Sequence, residues 1–162
     1  MHKRVLVLVS VIMAMTVSAF AMCGMCEEDG KEESHGAKMS MFSHAAKEAA
    51  VKDGVKEITY DQFIGIGNSG EKYVLLDVLS ADSFAKGHIE GAASFPLETI
   101  NAETAEKKLS KDDHLIVYCG SFQCAASTEA AKKLSGLGYN VLDYKGGLKE
   151  WQERGNKLAI TP

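Results

Sequence analysis

The amino-acid sequence predicts an α/β domain with a mostly parallel sheet of about five strands and helices on both faces. Short apolar runs, such as residues 115–118, have the length of strands that are buried on both sides. Segments with helical apolar spacing lie between such runs, most clearly over residues 125–137. Strands that alternate with helices imply right-handed crossovers, and therefore a parallel sheet between two helical layers.

The first strand and helix are predicted between residues 73 and 86. Residues 73–78 are an apolar run that closes near Asp77, which predicts a strand buried on both faces. Residues 82–86 follow as a short helical stretch, with Phe84 as its buried anchor.

Gly87 and Gly91 bracket His88 in a predicted turn whose backbone needs residues without a Cβ. Two interpretations of His88 are open. Its near-neutral reference pKa suits a general base, whereas its place in a turn suits a ring bonded to nearby backbone. The turn favours the structural interpretation, and Asp77 is likewise expected to hold a turn rather than to perform acid–base chemistry.

Residues 125–137 predict a helix with its apolar face inward. Gly136 and Gly138 end this helix, and the next strand begins at residues 141–142. Trp151 is expected to cover the core from a final helix. The predicted apolar stripe consists of Ala126, Ala130, Leu134 and Leu137.

Cys119 stands between the strand at residues 115–118 and this helix. Turn N–H groups and the positive end of a helix dipole meet at such a place, and they lower a cysteine pKa from its usual value of about 8.5. The prediction is a nucleophilic thiolate, and the alternative is a buried cysteine that acts as a small hydrophobic residue. The predicted active-site loop is Gly120, Ser121, Phe122, Gln123 and Cys124.

Several segments stand in a characteristic order over about residues 55–158. They are 75–78 (LLDV), 84–92 (FAKGHIEGA), 117–119 (VYC), 138–141 (GYNV), and Gly146-Gly147 followed by Trp151 and Gly155. In this order and spacing they resemble a rhodanese domain, of the sulfurtransferase family. The resemblance implies a rhodanese-like three-layer domain over residues 51–162.

The resemblance also implies a reaction. The Cys119 thiolate would attack the sulfane sulfur of thiosulfate or a persulfide, become a persulfide itself, and pass the sulfur to a thiol or to cyanide. Loop amides would stabilise the terminal sulfur. No metal or organic cofactor is needed, and the expected partners are small sulfur donors and thiol acceptors, with a protein thiol as an alternative acceptor.

This sequence departs from the family pattern at three places. Many members carry arginine or lysine in the loop, whereas this loop has no charge, which leaves the backbone amides, the helix dipole or Lys145 to attract an anionic donor. Leu79 stands where an arginine commonly follows the Asp-Val pair. Cys124 ends the loop. Poor activity with thiosulfate and a preference for a persulfide or protein-borne donor are therefore expected.

Cys124 supports a different class of function. A second thiol could attack a persulfide or sulfenate on Cys119 and close a disulfide, which describes a thiol–disulfide redox protein. A third interpretation is a non-catalytic module that handles sulfide or metal. A phosphatase is disfavoured, because Ala125 occupies the position where such enzymes need an arginine to clamp phosphate.

Composition and charge exclude other partners. Charged residues make up 25% of the 162 residues, and the net charge is −4 without a basic stripe. Nucleic acid is therefore not an expected partner. The sequence also has no glycine-rich loop of the type that binds nucleotide phosphates.

The first residues predict a secretory signal peptide. Basic residues 2–4 and apolar residues 5–20 precede cleavage after Ala21, with Ala19 as the second small residue of the site. The alternative is an uncleaved membrane anchor. The chain is expected to be exported, to the periplasm in a bacterium. Cleavage removes two positive charges, so the net charge falls from −4 to −6 and disfavours a membrane partner.

Residues 22–50 contain cysteine, methionine and histidine but few large apolar residues, which predicts a flexible or partly helical linker. Cys23 and Cys26 form a C-x-x-C pair. They are expected to form a small disulfide or to pair elsewhere, or alternatively to bind a soft metal such as Cu(I). One such pair is a weak metal signal, so no metal site is assigned.

We expect the mature chain to begin at Met22 when it is expressed in a bacterium with intact export, because the leader ends on small residues. Intact-mass measurement of the purified protein checks this. A chain that keeps residues 1–21 would instead support the membrane anchor.

Overall fold

The computed structural model describes residues 40–52 and 54–161. The predicted signal peptide and the Cys23/Cys26 pair lie outside these residues. Within them, no helix is long and apolar enough to cross a membrane. The elements in chain order are α1 (Met41–Glu48), β1 (Ala50–Lys52), β2 (Val55–Ile58), α2 (Tyr60–Asn68), β3 (Val74–Asp77), α3 (Ala81–Lys86), β4 (Ala93–Ser94), a 3₁₀ turn (Leu97–Thr99), α4 (Ala102–Lys108), β5 (His114–Tyr118), α5 (Ala126–Gly136), β6 (Asn140–Tyr144) and α6 (Gly147–Glu153).

The described strands form one sheet in the order β1-β2-β6-β5-β3-β4. Among themselves β2 to β6 pair in parallel, and β1 pairs antiparallel with β2 at one edge of the sheet. The predicted α/β class with a mostly parallel sheet is confirmed. β5 lies in the middle of the sheet between β3 and β6, so the site that follows it has strands on both sides.

Helices cover both faces of the sheet. On one face, α4 and α5 bury Ala105, Ala130 and Leu134. On the other face, α1 and α2 bury Phe42 and Phe63, while α6 packs its half-buried Trp151 against the same cluster. The three layers and the place of Trp151 agree with the sequence prediction.

Alternation along β5 determines which way the site faces. Ile116 and Tyr118 belong to the cluster under α1 and α2, whereas Leu115, Val117 and Cys119 belong to the cluster under α4 and α5. Successive strand residues point to opposite faces. Cys119 therefore continues the row that faces α5.

Asp77 and His88 belong to the scaffold, as predicted. Asp77 is buried, and its Oδ1 accepts the backbone N–H of Leu79 at 2.9 Å. The ring of His88 lies 2.9 Å through Nδ1 from the carbonyl oxygen of Phe84 and stacks on the Phe84 ring at 3.8 Å between centroids. Phe84 itself is only half-buried, so the prediction of a buried anchor was wrong. This ring covers the turn histidine rather than filling the core.

The two turn glycines are needed for different reasons. Gly91 has φ +81°, a conformation that favours glycine, as predicted. Gly87 has an extended φ of 168°, which any residue can adopt. A Cβ at Gly87 would lie 2.9 Å from Cδ1 of Leu158, so close packing explains this glycine.

The predicted linker boundary at residue 50 is too late. α1 lies inside the predicted linker, yet Phe42 and Ala45 are buried in the core. The Phe42 ring stacks on the His114 ring at 4.2 Å between centroids. The Glu71 carboxylate accepts the backbone N–H groups of Met41 and Phe42 at the start of the helix. The domain therefore includes α1, because one aromatic side chain carries enough apolar area to fix a short helix.

We expect Phe42→Ala to lower the free energy of unfolding by about 3 kcal/mol, because it empties a fully buried aromatic site. Denaturant titration measures this. Lys47→Ala on the exposed side of α1 is the matched control and should change stability by less than about 0.5 kcal/mol. If both substitutions have the same small effect, α1 is not part of the domain.

Candidate active site

Cys119 is the first residue after β5, and its side chain is fully buried. Its sulfur lies 3.3 Å from Oγ of Ser127 on α5 and 3.5 Å from the carbonyl oxygen of Cys124. Cys119 thus ends the row of residues that faces α5, and its thiol lies against the first turn of that helix. This is the carboxyl edge of the parallel sheet, where ligands of α/β proteins bind.

The start of α6 holds the loop after Cys119. The backbone N–H of Leu148 donates to the carbonyl oxygen of Cys119 at 3.0 Å, and that of Lys149 donates to the carbonyl oxygen of Gly120 at 2.9 Å. In a trans peptide the C=O and N–H groups point in opposite directions. Because α6 binds the carbonyl oxygen of Cys119, the N–H of Gly120 points to the other side, into the loop.

Cys124 closes the loop. Its N–H donates to the carbonyl oxygen of Ser121 at 2.9 Å, which makes a tight turn. Its side chain is partly exposed, and the Cys124 sulfur accepts hydrogen bonds from the Cys119 thiol and from the N–H groups of Gly120 and Ala126. The prediction left open whether the two cysteines meet. In the described loop the Cys119 sulfur lies 3.5 Å from the carbonyl oxygen of Cys124, and the Cys124 side chain packs against the buried cluster that contains Cys119.

The prediction of a lowered pKa at Cys119 was wrong. Burial raises the pKa of the Cys119 thiol, and the hydrogen bond that it donates to the Cys124 sulfur raises it further. Ser127 opposes this rise through its hydroxyl and its N–H. The sequence predicted the position of the thiol between β5 and α5. It did not show that α5 would bury the sulfur completely, which is what raises the pKa.

Cys124 is the acidic thiol of the pair. Partial burial raises its pKa, but the hydrogen bonds from Cys119, Ala126 and Gly120 and the positive charge of Lys145 outweigh that effect. The pKa of Cys124 therefore lies below its ordinary value. The loop N–H groups that were predicted to favour a Cys119 thiolate favour a Cys124 thiolate in the resting site.

Lys145 connects the loop to β6. Its ammonium group donates to the carbonyl oxygen of Cys124 at 2.7 Å and to Oγ1 of Thr128 at 2.9 Å. The Thr128 hydroxyl donates in turn to Oδ2 of Asp143 at 2.8 Å. Burial raises the pKa of Asp143, although Ser127, Thr128 and Lys145 oppose the rise. Lys145 thus brings a positive charge to the loop from outside it, as the sequence suggested.

The middle of the loop faces outward. Phe122 is 61% exposed, and the Ser121 hydroxyl lies 3.2 Å from Oε1 of Gln123. Phe122 and Gln123 line a cleft of about 560 Å³ together with Lys145, Lys149, Glu57 and others. The cleft carries charges of both signs. In the residues that the structure describes, no group of three or more His, Cys, Asp or Glu side chains is arranged to hold a metal ion.

The sequence prediction missed Ser127, Thr128 and Asp143. Ser127 carried a usable signal, because it shares the helical stripe of Ala130 and Leu134 while being polar, and it is fully buried. Thr128 and Asp143 carried none, because their contact depends on how α5 packs against β6.

Together these groups can perform covalent sulfur chemistry. Two thiols with oppositely shifted pKa values lie at the same loop, and nearby N–H groups and an ammonium group stabilise negative charge on the Cys124 sulfur. The site holds a nucleophile, a base beside it, and donors for an anion.

We expect Gly147→Ala to lower the free energy of unfolding by about 3 kcal/mol. Gly147 has φ +60°, and a Cβ there would lie 2.2 Å from the carbonyl oxygen of Cys119, so both hydrogen bonds from α6 to the loop would be disturbed. Denaturant titration measures the loss. Gly136→Ala in α5 is the control, because its added Cβ meets nothing within 4 Å. Equal stability of the two variants would show that α6 does not hold the loop.

Comparison with known proteins agrees with this geometry. The chain is 31% identical over 75 residues to the thiosulfate sulfurtransferase PspE of Escherichia coli K12, covering 46% of this chain and 70% of that protein. It is 32% identical over 93 residues to a putative mitochondrial thiosulfate sulfurtransferase of Schizosaccharomyces pombe, covering 50% of this chain and 64% of that protein, which is less than two thirds of its length.

A solved structure and a family model agree with these relatives. The crystal structure of the BH2092 protein of Bacillus halodurans matches with a TM-score of 0.59 and 33% identity, covering 65% of this chain and 77% of that chain. The family model "Rhodanese-like domain" matches residues 65–154, more than half of the chain. The chain therefore belongs to the family of rhodanese-like domains.

Proposed function

We propose that this protein is a sulfurtransferase that carries a sulfane sulfur atom on Cys119, from a persulfide or thiosulfate donor to a thiol or cyanide. The observation that carries the proposal is the buried Cys119 sulfur at the carboxyl edge of the sheet, 3.3 Å from Oγ of Ser127 and 3.5 Å from the carbonyl oxygen of Cys124, beneath a loop that the start of α6 holds in place. Two relatives with sulfurtransferase names, at 31% and 32% identity, support the same reaction class.

The first step makes the persulfide. In the form that reacts Cys124 is a thiolate, which its lowered pKa favours, and the Cys119 thiol passes its proton to that sulfur. The Cys119 thiolate then attacks the sulfane sulfur of the donor, forms an S–S bond, and expels the donor's remaining group with the electron pair. With thiosulfate the leaving group is sulfite, and with a persulfide it is a thiolate.

The second step passes the sulfur on. An acceptor thiolate or cyanide attacks the outer sulfur of the persulfide, and the Cys119 thiolate leaves. The outer sulfur is anionic before transfer, and we assign its stabilisation to the N–H groups of Gly120 and Ala126, which Cys124 gives up when it holds the proton. This chemistry requires no organic cofactor or metal.

Persulfide donors should be better substrates than thiosulfate. The loop itself has no arginine or lysine, and Lys145 already donates to Cys124 and Thr128. One half-buried ammonium group can lower the cost of bringing an anion to the loop, but it cannot bind a dianion in a bidentate fork.

A thiol–disulfide redox protein is the second candidate function. The same two thiols favour it, since an acidic thiol beside a second thiol is the arrangement of disulfide-exchanging sites. In that case Cys119 and Cys124 would exchange electrons with outside disulfides and would carry no sulfane sulfur.

Thiocyanate formation from cyanide tests the proposal, with thiosulfate and glutathione persulfide compared as donors. We expect ping-pong kinetics, a higher kcat/KM with the persulfide, and a loss of at least about a hundredfold in Cys119→Ser, because the covalent carrier is gone. Ser135→Ala, an exposed position on α5, is the matched control and should keep the wild-type rate. Thiocyanate formation that survives Cys119→Ser contradicts the proposal. Disulfide exchange without thiocyanate supports the redox candidate.

A further inference from the structure

We propose that Cys124 acts as an internal acceptor: it attacks the inner sulfur of a Cys119 persulfide, releases the outer sulfur as hydrosulfide, and leaves a Cys119–Cys124 disulfide. This inference rests on the proposed function, because it needs the persulfide to form. It adds a reaction that transfer to an outside thiol does not include, namely reductive release of the sulfur. It also predicts the class of reductant that must restore the site.

Position favours this reaction. Sulfur uptake lengthens the Cys119 side chain but leaves its own sulfur bonded to the same Cβ, beside Ser127 at 3.3 Å and the Cys124 carbonyl at 3.5 Å. An attack on the inner sulfur must come from the side opposite the outer sulfur, and on that side the buried Cys119 side chain is enclosed by the core. Cys124 packs against the same buried cluster, and its carbonyl oxygen lies 3.5 Å from the Cys119 sulfur. Among the described residues Cys124 is therefore the thiol placed to attack the inner sulfur.

The proton balance is consistent with the first step. After sulfur uptake Cys124 holds the proton that Cys119 gave up, and the outer sulfur is an anion. The two sulfurs compete for the N–H groups of Gly120 and Ala126, which in the resting loop bind Cys124. As Cys124 attacks, its proton moves to the outer sulfur, the bond between the inner and outer sulfurs breaks, and the outer sulfur leaves with that electron pair.

Atoms and charge balance in this step. An anionic persulfide and a neutral thiol give a disulfide and one hydrosulfide anion. The Cys124 sulfur is oxidised from the thiol to the disulfide level, the outer sulfur is reduced to hydrosulfide, and the Cys119 sulfur keeps its oxidation state, so the step itself needs no other reagent. A dithiol must then reduce the disulfide before the next turnover.

Exposure determines where that dithiol attacks. Cys124 is partly exposed whereas Cys119 is fully buried. The mixed disulfide with the reductant should therefore form on Cys124, with Cys119 as the leaving thiolate. The Lys145 charge beside the loop would draw an anionic thiolate toward Cys124.

A single-turnover experiment without any added thiol tests the inference. The chain carries Cys23→Ser and Cys26→Ser, so that only the two described cysteines react, and it is kept free of oxygen. Thiosulfate is the main donor because its product, sulfite, is not a thiol, and glutathione persulfide is the second donor. Intact mass and released hydrosulfide are measured together.

We expect this chain to release one equivalent of hydrosulfide and to lose two hydrogens in mass. Cys124→Ser and Cys124→Ala should instead keep one added sulfur and release no hydrosulfide until dithiothreitol is added. Cys119→Ser should do neither. The same chain without donor must keep its reduced mass, and circular dichroism must show that each variant is folded.

Two results overturn the inference while the proposed function stands: a stable added sulfur in the chain that keeps Cys124, or equal hydrosulfide release after Cys124→Ser. If neither donor adds sulfur to any variant and no hydrosulfide appears, the proposed function itself fails and the inference fails with it. Thus the two claims fail by different readouts.

Discussion

Two backbone hydrogen bonds, from Leu148 and Lys149 at the start of α6 to the carbonyl oxygens of Cys119 and Gly120, hold the loop on which the proposed sulfur chemistry depends. They turn the peptide after Cys119 so that its N–H points at the sulfur of Cys124. Gly147 allows this approach, because any side chain there would collide with the Cys119 carbonyl. The last helix of the domain thus shapes a site whose sulfurs come from β5 and the loop.

The consequence of this constraint is a division of roles between two thiols. Burial raises the pKa of the Cys119 thiol, whereas N–H groups and the Lys145 charge lower the pKa of the partly exposed Cys124. A lone buried thiol would be a poor nucleophile. In the proposed reaction Cys124 serves as the base for the buried thiol, so burial can exclude water from the persulfide without preventing its formation.

This arrangement also explains how a loop without arginine can belong to the family of rhodanese-like domains. In the proposed reaction backbone N–H groups and one ammonium group stabilise the anion, in place of a guanidinium. These donors suit a single anionic sulfur better than a dianionic donor molecule, since they cannot form a bidentate fork. Cys124 brings a second reactive atom to the end of the loop, where it meets Cys119.

The sequence predicted the elements because their signals are local. The apolar run before Cys119 and the spacing of Ala130 and Leu134 suffice to place a strand and a helix, and the carboxyl edge of a parallel sheet follows. Burial of the Cys119 sulfur was not predictable, because it depends on how closely α5 packs against β5. The place of Phe42 in the core was also not predicted, because one aromatic residue in a polar segment gives no periodicity.

The most direct test of the account is a pH titration of both sulfurs by NMR, using the Cβ chemical shifts of cysteine-labelled protein with Cys23→Ser and Cys26→Ser. The account predicts that Cys124 ionises first, below the ordinary cysteine pKa of about 8.5, and that Cys119 ionises above it. Ionisation of Cys119 before Cys124, or independent ionisation of both near the ordinary value, would contradict it.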